Sequence, residues 1–150
     1  AAPFCSSRLA DAGARVIKIE RPEGDFARGY DKAVFGESSY FVWLNRGKES
    51  VQLDLTKPEA KAQLRALIAS ADVFIQNFRP GVAEKLGAGE DDLRKINPKI
   101  IYCGMFGFGQ DGRGVGGCPL VHGRDARATL STNPMTLLKV TLGAGKIFNG

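Results

Sequence analysis

Short runs that alternate apolar and polar residues recur along the first 112 positions of the chain. Residues 15–20, RVIKIE, alternate basic with β-branched side chains and follow a short helical pattern that ends at Gly13. Comparable runs, alternating or continuously apolar, predict three more strands at residues 50–55 (SVQLDL), 72–78 (DVFIQNF) and 99–106 (KIIYCGMF).

Helical periodicity fills the intervals between these strands. The clearest helix starts at Thr56 and Glu59, which have capping-box spacing, and continues with apolar residues three and four positions apart. Residues 80–86 and 90–96 predict two further short helices. Strands that alternate with helices predict an α/β fold: a parallel sheet with helices on both faces and right-handed crossovers. Ligands of such folds bind beyond the carboxyl ends of the strands.

An aromatic segment interrupts the alternation. Residues 38–45, SSYFVWLN, contain three aromatic side chains and predict a buried aromatic cluster. The NRGK phrase at residues 45–48 predicts a tight turn in which Arg46 and Lys48 are exposed.

The pattern changes after Gly112. Residues 113–150 are rich in glycine, proline, serine and threonine, and only residues 135–142 form a periodic run. We therefore divide the chain into a partial α/β domain at residues 1–112 and a divergent tail at residues 113–150, which we expect to be irregular or poorly ordered.

A glycine-rich loop lies at this boundary. Residues 107–112, GFGQDG, have the G-x-G-x-x-G spacing of a dinucleotide-binding loop. Such a loop opens into a helix that binds the pyrophosphate, and an acidic residue follows about 20 residues later. Here more glycine follows, and no acidic residue occurs beyond Asp125. A glycine-rich turn that leaves a strand therefore explains the loop better than NAD or FAD binding.

The charge of the chain is unevenly distributed. Of the net charge of +5, residues 1–112 carry +1, from 16 basic and 15 acidic residues, and the tail carries +4. The basic residues of the tail are scattered and lack interleaved aromatic residues, so we expect no nucleic-acid partner. No segment approaches the 18 apolar residues that span a bilayer, so we expect no membrane partner.

The positions of cysteine and histidine do not indicate a metal centre. The three cysteines, Cys5, Cys103 and Cys118, are odd in number, lie far apart and lack C-x-x-C spacing, so they indicate no disulfide framework. Cys118 and the single histidine, His122, would alone supply two of the four ligands of a structural zinc site. We therefore expect no metal and no resident cofactor, and we expect a reducing, cytoplasmic location.

Four phrases carry a family resemblance: ADAGARVIKIERPEGD, SYFVWLNRGKESVQLDL, ADVFIQNFRPGVAEKLG and NPKIIYCGMFGFGQDG. In order and spacing they resemble the N-terminal part of a class III coenzyme A transferase, the family of formyl-CoA and carnitine CoA-transferases that also includes α-methylacyl-CoA racemases. The resemblance implies a Rossmann-like domain, interlocked homodimers in the full-length relatives, and acyl-CoA as a substrate. It also implies that the chain is a truncated N-terminal fragment, inactive on its own.

Six residues are candidates for binding coenzyme A. Residues 77–79 lie between a strand end and a predicted helix start at Pro80, a position where backbone donors favour anions. Arg21 follows the strand RVIKIE, and a guanidinium suits phosphate. The resemblance adds a role for Leu53 beside the adenine and for Lys85 beside the nucleotide. The candidates are Arg21, Leu53, Asn77, Phe78, Arg79 and Lys85.

No residue of this chain is assigned to catalysis. The resemblance implies an aspartate whose carboxylate attacks the acyl-CoA thioester, forms a mixed anhydride and expels the CoA thiolate, which is relayed to an acceptor carboxylic acid. Asp125 is the only acid after Asp111, and its neighbours do not match the family pattern. His122 lies near the position of a racemase histidine, but its flanking residues also differ.

Three alternatives remain beside a partial CoA-transferase. The chain could be a fragment of an acyl-CoA racemase, because the two activities share the matched phrases. It could be an NAD-type dinucleotide-binding domain, if the glycine loop binds a pyrophosphate. It could be a noncatalytic interaction module whose exposed strand edges pair with a partner chain.

Overall fold

The computed structural model describes residues 1–105 and 135–139. Its helices are α1 (Ala2–Asp11), α2 (Ser39–Asn45), α3 (Pro58–Ser70), α4 (Val82–Lys85) and α5 (Glu90–Ile96), with a 3₁₀ turn at Phe26–Gly29. Its strands are β1 (Arg15–Glu20), β2 (Lys48–Gln52), β3 (Val73–Gln76), β4 (Ile101–Gly104) and β5 (Met135–Lys139).

The five strands form one sheet in the order β2-β1-β5-β3-β4. β1 pairs in parallel with β2, with Val16 opposite Lys48, and β3 pairs in parallel with β4, with Phe74 opposite Tyr102. These parallel pairs and the helices on both sheet faces confirm the α/β class. The sheet is not wholly parallel, however, because β5 lies antiparallel between β1 and β3.

One strand of the sheet, β5, belongs to the tail at residues 113–150. Its residues lie within the one periodic run of the tail, and its backbone groups pair with β1 on one side and β3 on the other. Buried strand edges need such partners, because an unpaired backbone group away from water costs about as much as a lost hydrogen bond. The glycine loop at residues 107–112, Cys118, His122 and Asp125 lie outside the described residues.

Alternation along β1 directs its side chains to two cores. Ile17 and Ile19 join the larger core, in which Phe74 packs with residues of α3 and α5. Val16 joins a smaller core with Ala2 of α1 and Ile75 of β3. Sheet and helices therefore bury apolar residues on both faces, as expected for an α/β layer.

The start of α3 differs from the predicted capping box. Its N-cap residue is Lys57, which makes no side-chain cap hydrogen bond, and Pro58 begins the helix. The Thr56 hydroxyl instead donates to Asp54 Oδ1 at 2.6 Å. The helix starts without a side-chain cap because Pro58 favours its first turn: first-turn amides have no intrahelical acceptor, so the missing N–H costs nothing, and the ring holds φ near its helical value.

The prediction of a buried aromatic cluster is wrong. Tyr40 is 45% exposed and Trp43 is 52% exposed, because α2 turns Leu44 inward and these rings outward. The rings still contact one another across the surface, with centroids of Tyr40 and Trp43 6.3 Å apart and those of Phe4 and Trp43 5.8 Å apart.

Among the described residues, no helix is long and apolar enough to cross a bilayer.

Candidate functional site

A pocket of about 340 Å³ lies at the carboxyl ends of β1, β2 and β3. Arg21 borders it after β1, Leu53 borders it after β2, and Phe78 borders it after β3. Two residues of the α4 region, Val82 and Leu86, add apolar surface. The structure therefore brings three of the six predicted binding residues to one site.

The β1 wall of the pocket is a tight turn, Arg21–Gly24. The Gly24 amide donates to the Arg21 carbonyl oxygen at 2.8 Å, and Arg21 Nε donates to the Gly24 carbonyl oxygen at 3.2 Å. Arg21 also lies 3.7 Å from a Glu23 carboxylate oxygen, and its side chain is 40% exposed. The guanidinium is thus held at the rim of the pocket and remains open to solvent.

Leu53 belongs to both the core and the pocket wall. Its side chain is buried against the larger core, and its amide donates to the Glu20 carbonyl oxygen at 2.8 Å. That bond continues the pairing of β1 with β2 by one residue beyond the strands. The apolar wall therefore has a fixed position relative to the Arg21 turn.

Phe78 is positioned by the end of β3. Gln76 Oε1 accepts from the Phe78 amide at 2.6 Å, and Gln76 Nε2 contacts the Tyr102 hydroxyl at 3.0 Å. Phe78 is almost fully buried, and its ring faces the larger core and the pocket. A buried glutamine side chain therefore joins two parallel strands at the floor of the site.

The other predicted residues lie around the pocket and do not line it. Asn77 and Arg79 are half-buried on either side of Phe78, and Lys85 is exposed on α4. The predicted helix start at Pro80 is wrong: α4 begins at Val82, after Gly81 at φ +82°. Glycine adopts this left-handed conformation without the steric cost of a Cβ atom.

An ionic cluster, formed by Lys18, Glu20, Asp25 and Arg28, lies behind the Arg21 turn. Lys18, Glu20 and Asp25 are 2%, 3% and 7% exposed. In the sequence, Lys18 is one basic position of the alternating run RVIKIE, and no buried ionic cluster is predicted there. The sequence feature that could have revealed the cluster is Lys18 and Glu20 two positions apart in one strand, followed by Asp25 after the turn. Two acids and a base spaced this way can meet on one face.

Lys48 is a second residue that the sequence misplaced. The structure places it half-buried, whereas the turn prediction has it exposed, and its Nζ donates to the Pro3 carbonyl oxygen at 2.7 Å. Burial, together with the nearby positive charge of Lys18, lowers the pKa of Lys48 to about 8. The predicted exposure of Arg46 is confirmed.

The stability of the fold is expected to rise as the pH increases from about 8 to 10.5, because the partly buried Lys48 ammonium loses its proton in the folded chain first. The unfolded chain holds the Lys48 proton up to its ordinary pKa of 10.5, whereas the folded chain releases it near pH 8. Stability rises wherever the unfolded state binds more protons, here by about 1–2 kcal/mol after allowance for partial solvent contact. Urea unfolding at pH 7.5 and at pH 10 measures this rise, which Lys48→Met is expected to abolish.

The exposed Lys57 supplies the control for this measurement, since its side chain is 69% exposed. Lys57→Met is expected to leave the pH dependence of the wild-type chain unchanged. Equal pH dependence in the wild-type chain and in Lys48→Met would show that burial does not perturb this amine.

The sequence of the chain matches a known family. A model of CoA-transferase family III matches residues 1–118. The chain belongs to CoA-transferase family III. Its similar relatives include CoA-transferases.

Curated members of CoA-transferase family III share much of this sequence. The acetyl-CoA:oxalate CoA-transferase of Acetobacter aceti is 46% identical over 121 residues, which are 80% of this chain and 30% of the relative. The succinyl-CoA:glutarate CoA-transferase of Mus musculus is 40% identical over 139 residues, or 90% of this chain and 30% of the relative. This chain therefore spans about 30% of the length of these curated relatives.

A solved structure also resembles this CoA-transferase family III chain. The crystal structure of Rv3272 from Mycobacterium tuberculosis aligns with a TM-score of 0.68 at 43% identity. The alignment covers 75% of this chain and 32% of that one.

Among the described residues, no group of three or more histidine, cysteine, aspartate or glutamate side chains could hold a metal ion.

Proposed function

We propose that this chain supplies part of the coenzyme A-binding surface of a CoA-transferase, and that the pocket at the strand ends holds part of the acyl-CoA substrate. The observation that carries the proposal is the convergence of Arg21, Leu53 and Phe78 on one pocket of about 340 Å³. The apolar lining suits the apolar or aromatic body of such a ligand, and Arg21 is the cation available to its phosphates among lining residues that also include Glu20, Glu23 and Asp54.

Each part of coenzyme A has a complementary feature in this site. Leu53, Phe78 and Val82 offer apolar surface to the adenine ring or the pantetheine arm. Arg21 offers a planar guanidinium to phosphate, for which an arginine can form two parallel hydrogen bonds. Arg79 and Lys85, just outside the pocket lining, add positive charge that attracts the ligand.

The reaction that we propose for the full-length protein transfers coenzyme A between an acyl-CoA and a carboxylic acid. An aspartate carboxylate attacks the thioester carbonyl carbon, the carbon–sulfur bond breaks, and the CoA thiolate leaves with the electron pair. The thiolate then attacks the aspartyl carbonyl of this mixed anhydride, which releases the donor carboxylate and leaves an aspartyl-CoA thioester. The acceptor carboxylate attacks that thioester and expels the thiolate, which finally attacks the acceptor's acyl carbonyl, forms the new acyl-CoA and frees the aspartate. No residue of this chain is assigned to that aspartate, so we propose a binding role and no turnover by the chain alone.

Three cysteines without disulfide spacing fit a reducing, cytoplasmic setting.

Titration of the purified chain with coenzyme A and, separately, with NAD tests the proposal. Coenzyme A is expected to bind, and Arg21→Ala is expected to weaken it by about tenfold, the size of one charge-assisted contact. Arg94→Ala is the control, because Arg94 is paired with Glu90 on α5 at 2.8 Å and does not line the pocket. Its affinity is expected to equal that of the wild-type chain.

Two outcomes would contradict the proposal. Equal binding of NAD and coenzyme A would favour a general dinucleotide site. No binding of coenzyme A, combined with tight self-association in sedimentation experiments, would favour a noncatalytic interaction module.

A further inference from the structure

Both ends of the Arg21–Gly24 turn are anchored in the ionic cluster. Glu20 precedes the turn and Asp25 follows it, and Glu20 Oε2 accepts from the Asp25 amide at 3.1 Å. Asp25 Oδ1 in turn accepts from the Ala27 amide at 2.9 Å, which starts the 3₁₀ turn. The loop that carries Arg21 is therefore closed at its base by buried carboxylates.

Lys18 holds the two carboxylates together. Its Nζ donates to Asp25 Oδ2 and lies 3.2 Å from Glu20 Oε1. Two carboxylates that contact the same ammonium would repel each other strongly in a site of low dielectric constant if that cation were absent. The cation between them offsets the repulsion. The position of Asp25, and with it the end of the turn, thus depends on the Lys18 ammonium.

Side chains from α2 and the 3₁₀ turn cover the cluster. The Phe41 ring lies 4.8 Å from Lys18 Nζ and 3.9 Å from Arg28 Cζ, measured to the ring centroid. Arg28 also reaches within 3.8 Å of Glu20 Oε2. Hydrogen bonds and ion pairs that are shielded from water in this way are stronger and more directional than exposed ones.

Stability alone does not explain why charges occupy this position. A buried ion pair loses hydration on folding, and apolar side chains of similar volume often serve equally well or better. The opposite side of β1 shows that apolar packing is available, since Ile17 and Ile19 are buried there in the larger core. The ion pairs differ from such packing in having direction, which places a turn in one orientation.

We propose that Lys18, Glu20 and Asp25 act as positioning residues that fix the Arg21–Gly24 turn and thereby hold the Arg21 guanidinium at the rim of the pocket. Lys18 and Asp25 do not line that pocket, so their effect on ligand binding passes through the turn, whereas Glu20 also borders the pocket directly. The positioning role rests on the proposed function, because it concerns the affinity for coenzyme A.

Amide hydrogen exchange of the ligand-free chain tests how the turn is held. In Asp25→Asn the amides of Gly24, residue 25 and Ala27 are expected to exchange about tenfold faster, because local opening becomes easier by the loss of one charge-assisted bond. The amide of Ile75 in β3 is expected to keep its wild-type rate.

A double-mutant cycle with coenzyme A tests the route to the ligand. Asp25→Asn is expected to weaken coenzyme A by about fivefold in the wild-type chain and by less than about twofold in the Arg21→Ala background, because coupled residues are not additive. A merely structural defect would weaken binding equally in both backgrounds.

Asp31→Asn is the matched control. Asp31 Oδ1 accepts from the Ala33 and Ser39 amides at 2.9 and 2.8 Å, in the same loop region but without a bond to the turn. The control is expected to change neither the exchange of Gly24 nor the affinity for coenzyme A.

Gly24→Ala is a second variant that leaves every charge in place. Gly24 has φ +80°, so alanine strains the turn, while its Cβ would lie 3.6 Å from Glu20 Oε2 and meet no clash. The same coupling with Arg21→Ala is expected, even if Asp25→Asn folds poorly.

The outcomes separate the two proposals. Unchanged exchange in Asp25→Asn, or equal losses of affinity in both backgrounds, would overturn the positioning role while leaving coenzyme A binding in place. A wild-type chain that does not bind coenzyme A would overturn the proposed function and the positioning role with it, whatever the exchange data show about the turn.

Discussion

Replacement of Phe74 by alanine is expected to lower the free energy of unfolding by about 3–5 kcal/mol, as for other large core aromatic residues. Phe74 is fully buried in β3, and its ring stacks on that of Tyr102 with centroids 5.6 Å apart. Its strand pairs with β4 on one side and β5 on the other. A cavity at this point would therefore loosen the centre of the sheet.

Urea unfolding of the variant measures the loss, which is a large part of the roughly 5–15 kcal/mol that stabilises a typical domain. Phe35→Ala is the control, because Phe35 is fully exposed. A loss of at most about 0.5 kcal/mol is expected for the control. If Phe74→Ala lost less than about 1 kcal/mol, the larger core would not be packed as described.

Lys18→Met is expected to destabilise the chain by a similar amount, about 3–5 kcal/mol, because it leaves buried carboxylates without their cation. Glu20 and Asp25 are only 3% and 7% exposed, so little solvent is in contact with them to compensate for the lost ammonium. Methionine keeps much of the apolar length of lysine, so the loss reports mainly on the charge. Thermal or urea unfolding at neutral pH measures it.

Arg15→Met is the matched control on the same strand. Arg15 forms two hydrogen bonds with Glu49, at 2.7 and 2.8 Å, but both side chains are 55% exposed. An exposed pair contributes about 0–1 kcal/mol, so the loss in this variant is expected to be small. Similar small losses in both variants would mean that the Lys18 cluster is accessible to water.

The local sequence pattern was sufficient for much of the fold. The predicted helix at residues 90–96 matches α5, Glu90–Ile96, because apolar periodicity and acidic residues in its first turn act within the segment. The four strands of residues 1–105 were also predicted: β1 has the predicted ends, and the ends of β2, β3 and β4 differ by a few residues. Strand ends depend on pairing partners, which lie far away in the chain.

The candidate site was predicted in part. Arg21, Leu53 and Phe78 meet at one pocket because the carboxyl ends of β1, β2 and β3 lie at the same edge of the layer. Asn77 and Arg79 flank Phe78, and side-chain direction alternates along an extended chain, so only the middle residue of these three lines the pocket. That choice depends on register, which the phrase NFR does not reveal.

The sequence by itself indicated the four strands of residues 1–105, the helices α1, α3, α4 and α5, and the strand ends at which the pocket lies, because periodicity and breaks at glycine and proline act over a few residues. It did not indicate α2 or the 3₁₀ turn. The tertiary structure decided which polar residues are buried. Lys18 and Lys48 lie in local sequence patterns similar to those of exposed lysines. In the structure, however, Lys18 donates to Asp25 beneath α2, and Lys48 donates to the Pro3 carbonyl oxygen of α1. It also placed β5 between β1 and β3. Burial and strand order depend on contacts between distant segments, whose free energies no local pattern contains.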